Sequence, residues 1–376
     1  MELRNRFECD IAFLSEQLSS GQLTSEELTR RAIDNHETYG ATLNAFKCLQ
    51  PEKALEMARY SDRLLASGVP YRALHGIPVS VKDIYGLEGY PIFVGSSKEL
   101  PAKWQSSGPF VRSFAAQNAV FIGKTHTVEF AYGGLGVNNH WGTPKNPWDS
   151  ENHRVPGGSS SGSGISLWEG SAWVALGTDT AGSVRVPASF TGNVGLKTSL
   201  GHWSTEGIVP LSPTLDTAGF STRTVADAKF VFHAISHLEA YENVCSQIAE
   251  QNERDQHIRF RIGVDDGLMW SESEPEISEI CLNALRELEN EDCELVSFEF
   301  PQAKRAVDMR NLGGPVSVEL IEFLNSELPE WFDALDPVIR QRIKMGGDIS
   351  AIEYLRRVRE IKSARKEVKE IFHAID

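Results

Sequence analysis

The sequence of 376 residues is poor in cysteine, and no two cysteines form a CxxC pair. The five that occur are odd in number and far apart in the chain: Cys9, Cys48, Cys245, Cys281 and Cys293. Disulfide-rich secreted domains and structural zinc sites both depend on closely spaced cysteines. The composition therefore predicts neither a disulfide framework nor a zinc site, and it is typical of a cytoplasmic protein.

Long apolar runs and an excess of positive charge are also missing. No stretch approaches the ~20 apolar residues that span a bilayer, and residues 1–14 lack the apolar core of a signal peptide. The formal net charge is −15, whereas a nucleic-acid surface needs clustered Lys and Arg to neutralise phosphates. We therefore expect no membrane partner and no direct contact with nucleic acid.

Apolar residues and glycine are plentiful, with 41% hydrophobic residues and 31 glycines. These proportions fit a large α/β core with many turns, and no stretch is typical of a linker, so we predict one domain over residues 1–376. Apolar runs at 119–122 and 261–264 predict strands, and amphipathic patterns at 277–289 and 349–375 predict helices. Residues 5–65 are predicted to be helical, with a capping box at Thr24.

The most informative stretch begins with four glycines and four serines at 157–164. Such a loop lets the backbone approach a ligand closely. A buried strand is predicted at 173–176, and a helix is predicted to start with Pro187 in its first turn. Ser183 lies between the two. Backbone N–H groups at such a junction are partly unused by secondary structure, so they can face a developing negative charge.

Four motifs occur in order: GIPVSVKD at 76–83, PGGSSSGS at 156–163, GTDTAGSVRVPA at 177–188 and GLKTS at 195–199. With these motifs the chain resembles the amidase signature hydrolases. The resemblance is dense from about 70 to 235 and looser from 236 to 376. It implies an α/β fold in which a central mixed β-sheet is covered on both faces by helices.

The resemblance also implies a catalytic triad. Ser183 corresponds to the nucleophile, and it is activated by Ser159, a serine that follows a non-proline cis peptide bond and is linked to a buried Lys82. Backbone N–H groups would hold the oxyanion, namely those of Thr180, Ala181, Gly182 and Ser183. Contacts to the substrate are expected from Gly158, Ser160 and Glu129. No metal and no organic cofactor are required.

The chemistry of Lys82 is consistent with that role. A serine hydroxyl becomes a good nucleophile only when a base takes its proton, and a lysine can be that base only if burial lowers its pKa toward neutrality. Lys82 follows the alternating, strand-like run 77–81 and precedes Asp83. We predict that its neutral amine is hydrogen-bonded by the hydroxyls of Ser159 and a nearby serine.

The predicted reaction is hydrolysis of a small-molecule amide to an acid plus ammonia or an amine, through an acyl-enzyme on Ser183. Two related activities share these motifs and stay open: that of the glutaminase-type subunit of a tRNA-dependent amidotransferase, and that of allophanate hydrolase. A third alternative is an inactive, amidase-like binding or scaffold protein.

Three local patterns suggest other chemistry. Residues 158–162 match G-x-S-x-G, but the nucleophile elbow should follow a buried strand and the preceding residues are mostly polar. Gly123-Lys124-Thr125 ends a predicted strand like a phosphate-binding loop, but Asn118 stands where the Walker glycine is needed. His233 and His237 are spaced like a zinc pair, but the adjoining metalloprotease glutamate is missing.

Chains of the family usually continue, after a helix such as 349–375, into a strand and a further segment that helps to close the pocket. The resemblance therefore implies a shortened C-terminal part with the family's last segment absent, in a protein that is either truncated or naturally short. We expect an unpaired strand edge with exposed apolar surface, and hence weak stability or self-association as a homo-oligomer.

Overall fold

The computed structural model describes residues 10–237, 241–255, 258–265, 267–289, 293–312 and 314–376. Its contacts divide the chain into two compact units, one formed by Met1–Ile248 with Phe323–Gln341 and the other by Ala249–Glu322 with Arg342–Asp376. The single domain expected over residues 1–376 stays a prediction.

Eight strands and fourteen α-helices occur in the described ranges, together with three short 3-10 helices at Ala102–Gln105, Glu129–Ala131 and Pro329–Ala334. The strands are β1 (Phe46–Leu49), β2 (Pro78–Lys82), β3 (Val120–Thr125), β4 (Val174–Thr178), β5 (Val194–Lys197), β6 (Ala218–Thr222), β7 (Phe260–Asp265) and β8 (Cys293–Phe298). The helices are α1 (Ile11–Ser19), α2 (Ser25–Leu43), α3 (Pro51–Ala66), α4 (Pro109–Ala116), α5 (Ser161–Glu169), α6 (Arg185–Thr191), α7 (Val225–His237), α8 (Tyr241–Asp255), α9 (Leu268–Ser271), α10 (Pro275–Glu289), α11 (Pro301–Asn311), α12 (Val316–Glu327), α13 (Pro337–Gly347) and α14 (Ala351–Ile371).

The larger unit contains a six-stranded sheet in the order β1-β3-β2-β4-β6-β5. Strand β2 pairs in parallel with both β3 and β4, whereas β1, β5 and β6 pair antiparallel with their neighbours. The predicted mixed sheet flanked by helices is therefore confirmed. Because the carboxyl ends of parallel strands meet at one edge of a sheet, Lys82 at the end of β2 and Thr178 at the end of β4 are brought to the same edge.

The apolar runs that predict strands are all strands in the structure, with ends that differ by one to three residues. One strand was not predicted: β1 lies inside the stretch 5–65, for which we expect only helices. Its four residues, FKCL, are too few to show an alternating pattern, and only Phe46 among them is buried. Tertiary pairing with β3, where Phe46 lies opposite Thr125, makes this segment a strand.

The N-terminal helix signals are confirmed. Thr24 accepts a hydrogen bond from the backbone of Glu27, and the Glu27 side chain accepts one from the backbone of Thr24, so α2 begins with a complete capping box. Within the described ranges, no helix combines the length and the apolar character needed to cross a membrane.

The smaller unit contains β7 and β8, which pair in parallel. Ser350 caps α14 by accepting a hydrogen bond from the backbone of Glu353, and Arg357 in the same helix is buried and donates to the carbonyl of Leu312. The strand predicted at 261–264 and the helices predicted at 277–289 and 349–375 correspond to β7, α10 and α14. Self-association stays a prediction.

Candidate active site

Lys82 lies at the end of β2 and is completely buried, at 0% exposure. Its Nζ donates to Ser159 Oγ and to Thr178 Oγ1, each at 2.8 Å. A hydroxyl can accept from an amine or donate to its lone pair, so a neutral Lys82 can donate to Thr178 and accept the proton of Ser159. The second hydroxyl was expected to come from a serine. It comes from a threonine, because the parallel neighbour β4 ends beside Lys82.

Burial changes the acidity of this lysine. The pKa of Lys82 falls from its ordinary value of 10.5 to about 7, because the buried ammonium loses its hydration. The carboxylates of Asp216 and Asp179 act in the opposite direction, since their negative charges favour the ammonium. The two effects together leave Lys82 able to exist as a free amine close to neutral pH.

Ser159 is fixed by its own backbone. The peptide bond from Gly158 to Ser159 is cis, and the carbonyl of Ser159 accepts from the N–H of Val128 at 3.1 Å. The N–H of Gly158 donates to the carbonyl of Gly134 at 2.7 Å. A Cβ at position 158 would lie 2.6 Å from the backbone nitrogen of Gly136. The approach of these two loops therefore requires glycine at 158.

Ser183 lies two residues before α6, in the loop that follows β4. It is 8% exposed, and its hydroxyl makes no hydrogen bond to any residue in the described part of the chain. Its carbonyl accepts from the N–H of Ser160 at 3.2 Å, which joins this loop to the one that carries Ser159. The structure thus brings together the three residues of the predicted triad, on β2 and on two adjoining loops.

Asp179 organises the loop that carries Ser183. Its buried carboxylate accepts the backbone N–H of Gly182 at 2.8 Å, and those of Val184 and Arg185 at 3.2 and 3.3 Å. The Arg185 guanidinium binds the same carboxylate with Nε at 3.0 Å and Nη2 at 2.9 Å. The loop is therefore held from inside by one side chain.

This arrangement distinguishes Gly182 from the other expected oxyanion donors, all of which stay predictions. The N–H of Gly182 is already bonded to Asp179, so it does not point into free space. The N–H groups of Thr180, Ala181 and Ser183 donate to no residue among those that the structure describes. These three remain available to a ligand.

The residues expected to contact the substrate are bonded within the protein. Ser160 is 1% exposed, and its hydroxyl donates to the carbonyl of Thr178 at 3.4 Å. The carboxylate of Glu129 is buried, where it accepts the N–H of Asp336 at 2.7 Å and lies 3.0 Å from His140 Nε2. Contacts from Gly158, Ser160 and Glu129 to a substrate stay predictions.

The patterns that suggest other chemistry have structural explanations. No strand precedes Ser160 directly, as an elbow would require. Lys124 lies inside β3, buried, with its Nζ 3.1 Å from the carboxylate of Asp83. Nδ1 of His233 lies 3.3 Å from the side chain of Gln247, and the described residues contain no cluster of three potential metal ligands.

Two contributors to the site were missed by sequence reasoning. Thr178 binds Lys82, and Asp179 holds the loop of Ser183, yet both lie in the motif GTDTAGS at 177–183 that marks the site. The sequence does contain a signal for Asp179, which is an acidic residue directly after a predicted buried strand. A buried carboxylate needs hydrogen-bond donors, and the unpaired N–H groups of a loop can supply them.

Similar proteins point to one family. The Amidase family model matches residues 27–376. A 2-amino-5-chloromuconic acid deaminase of Comamonas testosteroni is 42% identical over 360 residues, which cover 96% of this chain and 76% of the deaminase. The A subunit of the glutamyl-tRNA(Gln) amidotransferase of Oleidesulfovibrio alaskensis is 36% identical over 77% of this chain, and the match spans 60% of that protein.

Solved structures agree with the family match. A crystal structure of an amidase has a TM-score of 0.85 and 27% identity, over 98% of this chain and 80% of the other. The native peptide amidase from Stenotrophomonas maltophilia has a TM-score of 0.78 and 25% identity, over 96% of this chain and 79% of its own.

The contact between the loops of Gly158 and Gly136 supplies a steric test. We expect Gly158→Ala to lower the free energy of unfolding by about 1–3 kcal/mol, because the added methyl group overlaps backbone atoms that cannot move aside easily. The displaced Ser159 should also slow labelling by a fluorophosphonate probe at least about tenfold. Chemical denaturation and labelling kinetics measure the two effects.

Gly134→Ala is the matched control, because a Cβ at position 134 meets nothing within 4 Å. It should keep the stability and the labelling rate of the wild type. Equal effects of the two substitutions would contradict the steric argument.

Proposed function

Because the chain belongs to the amidase family and hydrolyses amide C–N bonds, we propose that it works through an acyl-enzyme on Ser183. The observation that carries the proposal is the hydrogen bond of 2.8 Å between a buried Lys82 and Ser159. Neutral Lys82 takes the proton of Ser159 while Ser159 takes that of Ser183, whose Oγ then attacks the substrate carbonyl carbon.

The rest of the cycle uses the same groups in reverse. When the tetrahedral intermediate collapses, the C–N bond breaks and the leaving nitrogen receives the proton held by Lys82 through Ser159. Water then attacks the acyl group in the same way, and the acid leaves. Every proton in this cycle passes between Lys82, the two serines, the leaving nitrogen and water, so the proposed cycle needs no metal and no organic cofactor.

In the proposed mechanism three backbone donors bind the oxyanion, namely the N–H groups of Thr180, Ala181 and Ser183. Donors that are fixed before the reaction stabilise developing charge without reorganising, and the loss of one such donor typically costs about 2.7–4 kcal/mol in the barrier. Gly182 contributes by its bond to Asp179, which fixes the conformation of the loop.

For the substrate we propose a small carboxylic acid derivative whose nitrogen leaves as ammonia. Support comes from the 42% identity to a 2-amino-5-chloromuconic acid deaminase over nearly the whole chain. A 2-aminomuconic acid is a second candidate beside simple carboxylic amides. Its nitrogen is bonded to a vinyl carbon and not to a carbonyl carbon, so its release as ammonia would consume water and leave a ketone, without an acyl-enzyme on Ser183. The glutaminase reaction of a tRNA-dependent amidotransferase is supported by a weaker match that spans a smaller part of the matched protein.

Location and partners are separate matters. A cytoplasmic location, the absence of direct nucleic-acid and membrane partners, and a homo-oligomeric state stay predictions.

The nucleophile can be identified without knowing the substrate. We expect Ser183→Ala to abolish both fluorophosphonate labelling and amide hydrolysis while circular dichroism stays unchanged, because the only changed group is the attacking oxygen. In the wild type, mass spectrometry of the labelled peptide should place the probe on Ser183. Ser189→Ala, at an exposed position in α6, should label normally, and a probe found on Ser160 would support the elbow instead.

The role of Lys82 predicts a pH profile. An ammonium cannot accept a proton, so kcat/KM should rise as the pH passes the pKa of Lys82, about 7, and then reach a plateau. Lys82→Arg keeps the charge but cannot release its proton, so it should be as inactive as Lys82→Ala. Lys103→Arg, an exposed site paired with Glu327, should behave as wild type.

Substantial activity in Lys82→Arg would show that positive charge alone suffices, and it would remove the base assignment.

A substrate panel distinguishes the candidate reactions. We expect ammonia release from a primary carboxylic amide or from 2-aminomuconic acid to exceed that from glutamine and from allophanate, with Ser183→Ala as the blank. Fastest release from glutamine would favour the amidotransferase reaction, and fastest release from allophanate would favour that hydrolase. A wild-type protein that neither labels nor turns over any member would be a scaffold.

A further inference from the structure

Asp216 has a buried carboxylate beside the active site, and the proposed mechanism gives this carboxylate no role. It lies two residues before β6, at 6% exposure. Its Oδ1 accepts the Thr180 hydroxyl at 2.5 Å, and its Oδ2 accepts the backbone N–H groups of Leu211 and Ser212, each at 2.9 Å. All three partners are donors, an arrangement that suits an ionised carboxylate.

The partner Thr180 belongs to the loop that offers N–H groups to the oxyanion. The backbone of the preceding residue is also held, because Asp179 donates its N–H to the carbonyl of Thr217 at 2.8 Å and accepts the N–H of Thr217 at 3.1 Å. Asp216 therefore fixes the side chain of Thr180 just after a point where the backbone is fixed. Two adjacent residues of the loop, Asp179 and Thr180, are therefore each hydrogen-bonded to the segment that precedes β6.

Asp216 also contributes charge. Its carboxylate and that of Asp179 are the two charges that favour the ammonium form of Lys82. The charge of Asp179 is compensated by the guanidinium of Arg185, 2.9 Å away. No salt bridge to Asp216 is found among the residues that the structure describes. Burial raises the pKa of Asp216, and the bonds from its three donors together with the charge of Lys82 oppose that rise.

Other titratable groups near this pair have hydrogen-bond or ion-pair partners of their own. The hydroxyl of Tyr85 donates to the carbonyl of Gly177 at 2.6 Å, and burial raises its pKa, so the phenol stays protonated. Asp83, the neighbour of Lys82 in sequence, is bonded to Lys124. Asp216 is therefore the uncompensated charge that acts on Lys82.

We propose that Asp216 is a positioning residue for the reaction, in two ways. Its carboxylate holds Thr180 so that the loop N–H groups face the oxyanion, and its negative charge acts on the amine of Lys82. The proposal rests on the proposed role of Lys82. It assigns to Asp216 no contact with the reacting atoms.

The two effects have different signatures. Asp216→Asn removes the negative charge, which destabilises the ammonium of Lys82, so the rising limb of the pH profile should move to lower pH by about half a unit to one unit. The plateau should also fall about tenfold, because the loop loses its anchor. Thr180→Val removes the hydroxyl and keeps the charge, so the plateau should fall while the limb stays in place.

The rate of fluorophosphonate labelling, measured from about pH 5 to pH 9, reports both effects without a known substrate. Asp227→Asn is the matched control. Asp227 is also a buried aspartate whose pKa is raised by burial, but it accepts the N–H of Ile11 and the hydroxyl of Thr224. Its substitution should leave the limb where it is in the wild type.

A limb that stays in place in folded Asp216→Asn, or that moves equally in Asp227→Asn, would overturn the proposal and leave the role of Lys82 intact. A wild-type profile with no limb near pH 7 would overturn the role of Lys82, and this proposal with it. If Asp216→Asn does not fold, Thr180→Ser and Thr180→Val test the anchor instead. A higher plateau of the labelling rate in Thr180→Ser than in Thr180→Val supports the anchor. Equal plateaus in these two variants overturn it.

Discussion

The site depends on the burial of one amine among hydroxyl groups. A lysine removed from water is destabilised as an ammonium. Among the residues that the structure describes, none forms an ion pair with Lys82, and its hydrogen-bond partners Ser159 and Thr178 are both neutral. Burial thereby favours the free amine of Lys82 near neutral pH, and the proposed mechanism uses that amine as its base. The physical cause is desolvation, because Lys82 is completely buried at the end of β2 and its ammonium form would lose its hydration.

The topology of the sheet explains why these partners meet. Parallel pairing of β2 with β4 places Lys82 and Thr178 at one edge, and the loop after β4 starts from the same edge. A second loop then brings Ser159 to that edge, with glycine at 158 because another backbone lies too close for a side chain. The loop that carries Ser183, the proposed nucleophile, is held from within by the carboxylate of Asp179.

The sequence predicted the residues of this site that lie in contiguous motifs, but not the contacts that depend on how strands pair or how a loop folds. The positions of Lys82, Ser159 and Ser183 follow from short motifs. The contact of Thr178 with Lys82 depends on strand order, which no local pattern reveals. The bond from Gly182 to Asp179 depends on how a loop closes on itself. Strand β1 was missed for the same reason, because four residues become a strand only by pairing.

Lys124 shows why the assignment of a base cannot rest on burial alone. Like Lys82 it ends near the same sheet edge at 0% exposure, and burial lowers its pKa as well. Its Nζ, however, lies 3.1 Å from the carboxylate of Asp83 and donates to the carbonyl of Tyr85, two acceptors that favour a charged ammonium. Of two equally buried lysines on adjacent strands, only the one whose direct partners are hydroxyls is suited to give up and take back a proton.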